Sequence, residues 1–264
     1  MSRAALLVAG LLAAVAVGCQ TAARVRPLAS ADPRPAALLH AWQASAAERR
    51  SLRGSARLAV DGEALHVRAK QILVVERPAR LRVEVQGLLS QTLAVLVTDG
   101  PRYELFRAED RSVERGEVHA GLLWQVASLA LTPEEAIDLV LGAPRLDAAL
   151  APQRAFEAAD GEIGVELGNG AGAASERLRF VAQGRLRRIE RLAAQGDVVW
   201  SARFDAYEPI SGVPFAHRIE LEATQPATRA ELVLSDVELN PTLPADIFQL
   251  RPALKPGRPD GEGG

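Results

Sequence analysis

Cysteine is almost missing from this chain: Cys19 is the only one, which excludes an internal disulfide. Aromatic residues make up 4% of the sequence, so an interior built from it is mostly Leu and Val. Lys70 and Lys255 are the only lysines. The arginines fall on alternate strand positions rather than in one run, and with a net charge of −2 nothing points to nucleic acid. The histidines His40, His66, His119 and His217 lie far apart, and none has a metal-ligand spacing to a partner. No G-x-S-x-G elbow is present, and neither Ser90 nor Ser211 has a nominated base. Gly168-Asn169-Gly170-Ala171-Gly172 leads into a strand where a nucleotide loop should open a helix, so it reads as a hairpin. Glu134-Glu135 belong to a helix start. No residue is left to nominate for catalysis, and no metal or other cofactor is implied. The chain reads as a non-enzyme.

What is present is alternation. Leu52 to Phe106 predicts five consecutive antiparallel strands with one oily and one charged face. Leu81, Val83 and Val85 alternate with Arg80, Arg82, Glu84 and Gln86. The same beat places Leu58, Leu65, Val67, Leu93, Val95 and Val97 inward, with Leu105 on the last strand. Asp61-Gly62 and Asp99-Gly100 supply hairpin turns. A charged face beside an aliphatic one means a sheet covered on one side. Before it, Leu38, Leu39, Trp42 and Ala46 recur at helical spacing from Ala36 to about Arg50, and Trp42 packs that helix down. After it comes a short sixth strand at Arg111 to Arg115.

The pattern then changes. Val118, Leu122, Leu123, Val126 and Leu129, with Trp124 beside them, suit a helix with a broad apolar stripe. Thr132-Pro133-Glu134-Glu135 reads as a capping box with proline at the first helical position, and that helix stops at Gly142. Strands resume from Phe156 to Val237, with Val198, Trp200, Ala202 and Phe204 inward on one of them. Ile247 and Phe248 plug the sheet edge. About a dozen strands with one greasy face can curve around a hollow fit for acyl chains, or the helices can fill that hollow and leave a solid core. Periodicity does not separate the two.

Arg3 precedes an apolar run from Ala4 to Gly18, about 15 residues where a spanning helix needs about 20. This is an export signal over 1–18. It ends in Ala16-Val17-Gly18-Cys19, which resembles the lipobox of bacterial lipoproteins. The resemblance implies lipidation of Cys19, whose acyl chains hold a protein to a bilayer at about 0.8 kcal/mol per buried methylene. Gln20 in place of aspartate implies the outer membrane, with the domain facing the periplasm. Residues 19–35, with Pro27, Pro33 and Pro35, read as a tether, 36–252 as the folded domain, and 253–264 as a disordered tail.

The order of elements resembles the LolA/LolB lipoprotein-localisation family. The segments that carry it are Arg53-Gly54-Ser55-Ala56, Leu131 to Pro144 with Gly142-Ala143-Pro144, and the Val213-Pro214 to Leu221 strand entry. The resemblance implies a mainly β fold with few helices: an antiparallel, strongly curved, incomplete β-barrel of about eleven strands under a helical lid. It implies a hydrophobic cavity that receives lipoprotein acyl chains, transfer to the outer membrane without chemistry, a LolA-like periplasmic carrier as partner, and a monomer. The cavity lining would be Leu58, Leu65, Val67, Leu81, Val83, Val85, Leu93, Val95, Val97, Leu105, Leu122, Trp124, Val126, Trp200 and Phe204. The family's membrane-insertion leucine falls on Leu88 in Gln86-Gly87-Leu88-Leu89-Ser90, so Leu88 and Leu89 either enter the membrane or tuck under the lid. The alternative from another class is a structural or partner-binding envelope lipoprotein with a solid core.

Overall fold

In the computed structural model, which describes residues 25–62, 66–170 and 175–250, the backbone forms one antiparallel sheet flanked by three helices. In chain order the strands are β1 (Arg26–Pro27), β2 (Ser51–Gly62), β3 (His66–Glu76), β4 (Arg80–Gln86), β5 (Thr92–Asp99), β6 (Arg102–Arg107), β7 (Ser112–Glu117), β8 (Ala151–Glu157), β9 (Ile163–Gly168), β10 (Glu176–Phe180), β11 (Leu186–Leu192), β12 (Val198–Ile210), β13 (Val213–Thr224) and β14 (Ala227–Leu239). The helices are α1 (Pro33–Glu48), α2 (Leu122–Ala127) and α3 (Pro133–Val140). The sheet runs β1-β8-β9-β10-β11-β12-β13-β14-β2-β3-β4-β5-β6-β7 and does not close. This is the expected incomplete barrel, with fourteen strands among the described residues rather than about eleven.

Register shows how one face becomes the core. Directly opposed residues share a face, and the ladder links Val165, Leu178, Ile189, Ala202, Leu221, Ala230, Val60 and Val67 in one transverse apolar row across eight strands. A matching row on the other face reads Glu166, Arg177, Glu190, Ser201, Glu222, Arg229, Asp61 and His66. Its members pair where they meet: Arg177 donates to Glu166 at 3.0 Å and to Glu190 at 2.8 Å.

Three expectations need correction. The helix around Trp42 begins at Pro33 rather than Ala36, because the Asp32 carboxylate accepts from the Arg34 amide at 3.0 Å and caps it. Part of the expected 19–35 tether is therefore folded, and Arg26–Pro27 also adds to the sheet opposite Phe156 and Glu157. Asp61-Gly62 is strand rather than turn: both residues pair with β14, and Asp61 also pairs with His66 of β3. The signal segment 1–18, Cys19, Leu65 and the 253–264 tail lie outside the described residues.

The second half of the sheet is filled by α1. Trp42 meets Phe180 edge to face at 6.2 Å, and Phe204 and Phe215 are fully buried nearby in the same cluster. Where β14 ends, the Asn240 side chain accepts from the Arg50 and Ser51 amides at 2.9 and 3.2 Å and donates to Glu48 O at 2.9 Å. That side chain pins the joint between α1 and β2 to the last strand.

Candidate functional site

The two short helices differ in how firmly they are held. The α3 start is a complete capping box: Thr132 Oγ1 accepts from the Glu135 amide at 3.2 Å, and Glu135 accepts from the Thr132 amide at 2.9 Å. Such caps contribute about 1 kcal/mol. Glu135 also pairs with Arg191 of β11 at 2.8 Å. Asp138 of the same helix, nearly buried, takes Arg77 at 2.8 Å and Arg145 at 2.6 Å. Arg77, from the β3–β4 turn, donates further to Ala46 O at 3.1 Å and to Ala143 O. Gly142, at φ +59°, makes the left-handed turn that ends this segment. Arg49, buried beneath it, donates to Gly142 O at 3.0 Å and to Pro214 O at 3.1 Å. Burial holds its guanidinium pKa below the ordinary value.

Helix α2 has six residues, no side-chain cap, and a C-terminal Ser128 at φ 52°. Leu122 and Leu123 are buried, but Trp124 is 43% exposed. Beneath α2 and α3 the inner face of the sheet is not filled. A hollow of about 190 Å³ lies between these helices and the strands β2 to β6, β13 and β14. Its walls are Leu73 of β3, Leu81, Val83 and Val85 of β4, Ala94 and Leu96 of β5, Leu105 of β6, Ile219 and Leu221 of β13, and Leu232 of β14. Its roof is Leu123, Val126, Leu129, Leu131, Ala136, Leu139 and Val140. Among the described residues Gln71 is the one polar side chain in the lining. Val83, Val85, Ala94, Leu232 and Val126 are only half-buried, so the space communicates with solvent.

Of the residues expected to line a cavity, Leu58, Leu81, Val83, Val85, Leu105 and Val126 do so. Leu93, Val95 and Val97 do not, because β5 has the opposite phase. Its pairing sets Ala94 against Val85 and Leu96 against Val83, which turns the odd-numbered residues to the outer face. There Val95 and Val97 pack with Phe106 and Leu250 in a second apolar cluster, and Leu93 is 45% exposed. The covering segment, an irregular stretch beyond β14, is tied down by Arg82 donating to Ile247 O at 3.3 Å and Gln249 O at 3.2 Å, with Arg80 5.9 Å from the Phe248 ring centre.

Val67 is on the inner face but lies beyond the hollow. Leu122, Trp200 and Phe204 are buried in solid core rather than lining space, and Trp124 turns outward. Leu96, missed from sequence, carried a signal: Leu93 to Val97 is apolar without a break, the mark of a strand covered on both faces.

The β4–β5 hairpin is the other feature of note. Leu88 is 101% exposed and Leu89 89% exposed, so they do not tuck under the helices. The turn is nevertheless ordered: the Gly87 amide donates to Gln91 O at 2.9 Å, the Ser90 amide to Gly87 O at 3.0 Å, and the Leu89 amide to Gln91 Oε1 at 3.0 Å. Gln86 to Thr92 contains no charged residue.

Among the described residues no cluster of three or more His, Cys, Asp or Glu could hold a metal, and no helix is long and apolar enough to cross a membrane.

No protein-family model matches the sequence, and the comparison with curated proteins gave no match. Among solved structures, a LolA superfamily protein from Nitrosomonas europaea is 17% identical, with TM-score 0.53, covering 80% of this chain and 97% of that one. A domain assigned as an outer membrane lipoprotein-sorting protein from Vibrio parahaemolyticus is 12% identical, with TM-score 0.50, over 80% of this chain and 94% of that one. A DUF1329 family protein from Desulfovibrio piger is 11% identical, with TM-score 0.54, over 85% of this chain and all of that one. These likenesses show a shared fold.

Proposed function

We propose that this chain is a LolB-like lipoprotein that handles lipid: it takes lipoprotein acyl chains into the hollow and assists their insertion into the outer membrane. The observation that carries this reading is a space walled by aliphatic side chains with one polar group, roofed by helices of which α2 is weakly held. Two or three acyl chains entering water cost on the order of tens of kcal/mol, so transfer needs such a substitute for the bilayer. The fold shared with the N. europaea and V. parahaemolyticus proteins supports it.

In this reading residues 1–18 are removed and Cys19 is lipidated, and the working body is the 36–252 domain together with the start of α1 at Pro33 and the Arg26–Pro27 strand. The protein is a monomer on the outer membrane facing the periplasm, loaded by a LolA-like carrier, and Leu88-Leu89 enter the leaflet. A hollow of about 190 Å³ is smaller than the roughly 300–1,000 Å³ of ligand sites, so loading displaces α2.

Uptake of a fluorescent fatty acid with micromolar or better affinity is expected, and it is lost when Ala94→Phe fills the space. A folded protein that takes up no probe would overturn the reading. Leu88→Glu with Leu89→Glu should leave uptake intact and abolish delivery to membranes. Delivery that survives this change removes the hairpin from the mechanism. The small size of the hollow favours one rival, an envelope lipoprotein whose surface binds a protein partner. Absence of uptake together with a stoichiometric co-purifying protein would establish it.

A further inference from the structure

The outer face beside the hairpin breaks the charge pattern found elsewhere on the sheet. Most cations there have an acid across the ladder or on the diagonal. Arg218 pairs with Glu231 at 3.2 Å, Arg229 with Glu222 at 3.4 Å, and Arg203 with Glu220 at 3.8 Å. One transverse row differs: from β13 to β4 it reads Arg218, Val233, Arg57, Lys70, Gln86. Arg57 and Lys70 are directly opposed in the ladder, an arrangement that costs stability unless an anion relieves it. Both are exposed, and neither forms an ion pair among the described residues. Arg68, two residues from Lys70 on the same face, has Asp61 at 3.7 Å, with both side chains mostly in solvent.

This row ends at Gln86, where the uncharged hairpin begins. Arg57, Arg68 and Lys70 line the same outer concavity, about 1160 Å³, that Leu88 and Leu93 also line; its acids, Asp61, Glu220, Glu222 and Glu231, each face an arginine, Arg68, Arg203, Arg229 and Arg218 respectively, which leaves Arg57 and Lys70 as its cations outside an ion pair among the described residues. Cations set beside a fully exposed apolar tip match a bilayer surface, where apolar side chains reach the acyl boundary and cations stay at phosphate level.

We propose that Arg57 and Lys70 form a docking site for anionic lipid head groups, which directs the Leu88-Leu89 tip into a negatively charged leaflet. This rests on the reading of the hairpin as a membrane-entering element and adds the chemistry of the surface it meets. The two cations hold the phosphodiester anions of neighbouring lipids and relieve their own repulsion. The attraction weakens with salt, since the groups are exposed.

The test compares binding of full-length variants to phosphatidylcholine vesicles and to vesicles in which part of it is replaced by phosphatidylglycerol, at low and high salt. Any contribution of the N-terminal segment is common to all variants and cancels in the comparison. The wild type should bind the anionic vesicles more tightly, and Arg57→Gln with Lys70→Gln should lose about thirtyfold of that gain, with unchanged binding to phosphatidylcholine and unchanged uptake of the fatty-acid probe. Arg50→Gln with Arg102→Gln, which removes two exposed cations at the far ends of the strands, should keep the gain.

The proposal is overturned if the Arg57/Lys70 variant keeps the full gain, or if the Arg50/Arg102 variant loses as much. In either case weakened binding of Leu88→Glu with Leu89→Glu to both vesicle types leaves the hairpin reading standing. If that leucine variant binds both vesicle types like the wild type, the hairpin reading fails, and the docking proposal falls with it.

Discussion

The two halves of the inner face are built from the same alternation, yet one is solid and the other is not. Under β9 to β12 the space is taken by Phe180, Trp200 and Phe204, with Trp42 driven in from α1. Under β3 to β6 the wall is Leu, Val and Ala, and the covering elements are the short α2 and α3. Aromatic rings each bury 150–250 Å² and fill a concave sheet. Branched aliphatics on a curved wall stop short of the roof. Tyr103 of β6 aside, the buried aromatics of the inner face are therefore spent on one half, and what they leave unfilled in the other is the candidate binding space.

That contrast can be broken most sharply by deleting bulk on each side. Phe204→Ala should cost about 3–5 kcal/mol in denaturant unfolding, whereas Leu73→Ala, beside space already empty, should cost about 2 kcal/mol. Equal losses would mean that the first half is as tightly packed as the second. Asp138→Ala is expected to cost about 3 kcal/mol, because Arg77 is left partly buried without its carboxylate. A loss near zero would show that α3 is held by its apolar face alone. Adding bulk should separate the halves with opposite signs. Ala202→Leu, in the fully packed side, should destabilise by about 1–3 kcal/mol, while Ala94→Leu should be neutral or stabilising and should weaken probe uptake. The smallest effect belongs to the weakly held helix: Ser128→Gly, at a position with φ 52°, should stabilise by about 0.5–1 kcal/mol.

A pH series sharpens the same contrast. Glu176 of β10 is buried with Oε2 unpartnered. Burial raises its carboxyl pKa, partly offset by Arg191. A raised folded-state pKa contributes stability below the usual carboxylate range and loses it as pH rises through the raised value. Glu176→Gln should therefore gain on the wild type in thermal melts as pH rises above the usual carboxylate range. A constant difference over that rise would mean that Glu176 titrates as it does in the unfolded chain.

Much of the first half was legible because its strands alternate cleanly. Val83 and Val85, set among Arg82, Glu84 and Gln86, can face only one way. Strand β5 was not legible: Leu93 to Val97 is apolar at every position, and a strand buried on both sides carries no phase of its own. What fixes its phase is the Phe248 to Leu250 segment, more than 140 residues further along and tied by the Leu250 amide to Glu104 at 3.2 Å. Trp124 was misplaced for a related reason. A six-residue helix is too short for its stripe to average over turns, so its neighbours decide which side faces inward.

By itself the sequence determined a one-sided antiparallel sheet, two helices between its halves, the capping box at Thr132, and an uncharged hairpin tip at Leu88-Leu89, because each of these is written in residues within a few positions of one another. The tertiary structure alone decided which face of β5 looks inward, that the leucine tip stands free in solvent, and that Arg57 meets Lys70 without an acid between them. Those facts depend on pairing between segments distant in sequence, and on where a curved wall runs out of side chains large enough to fill it.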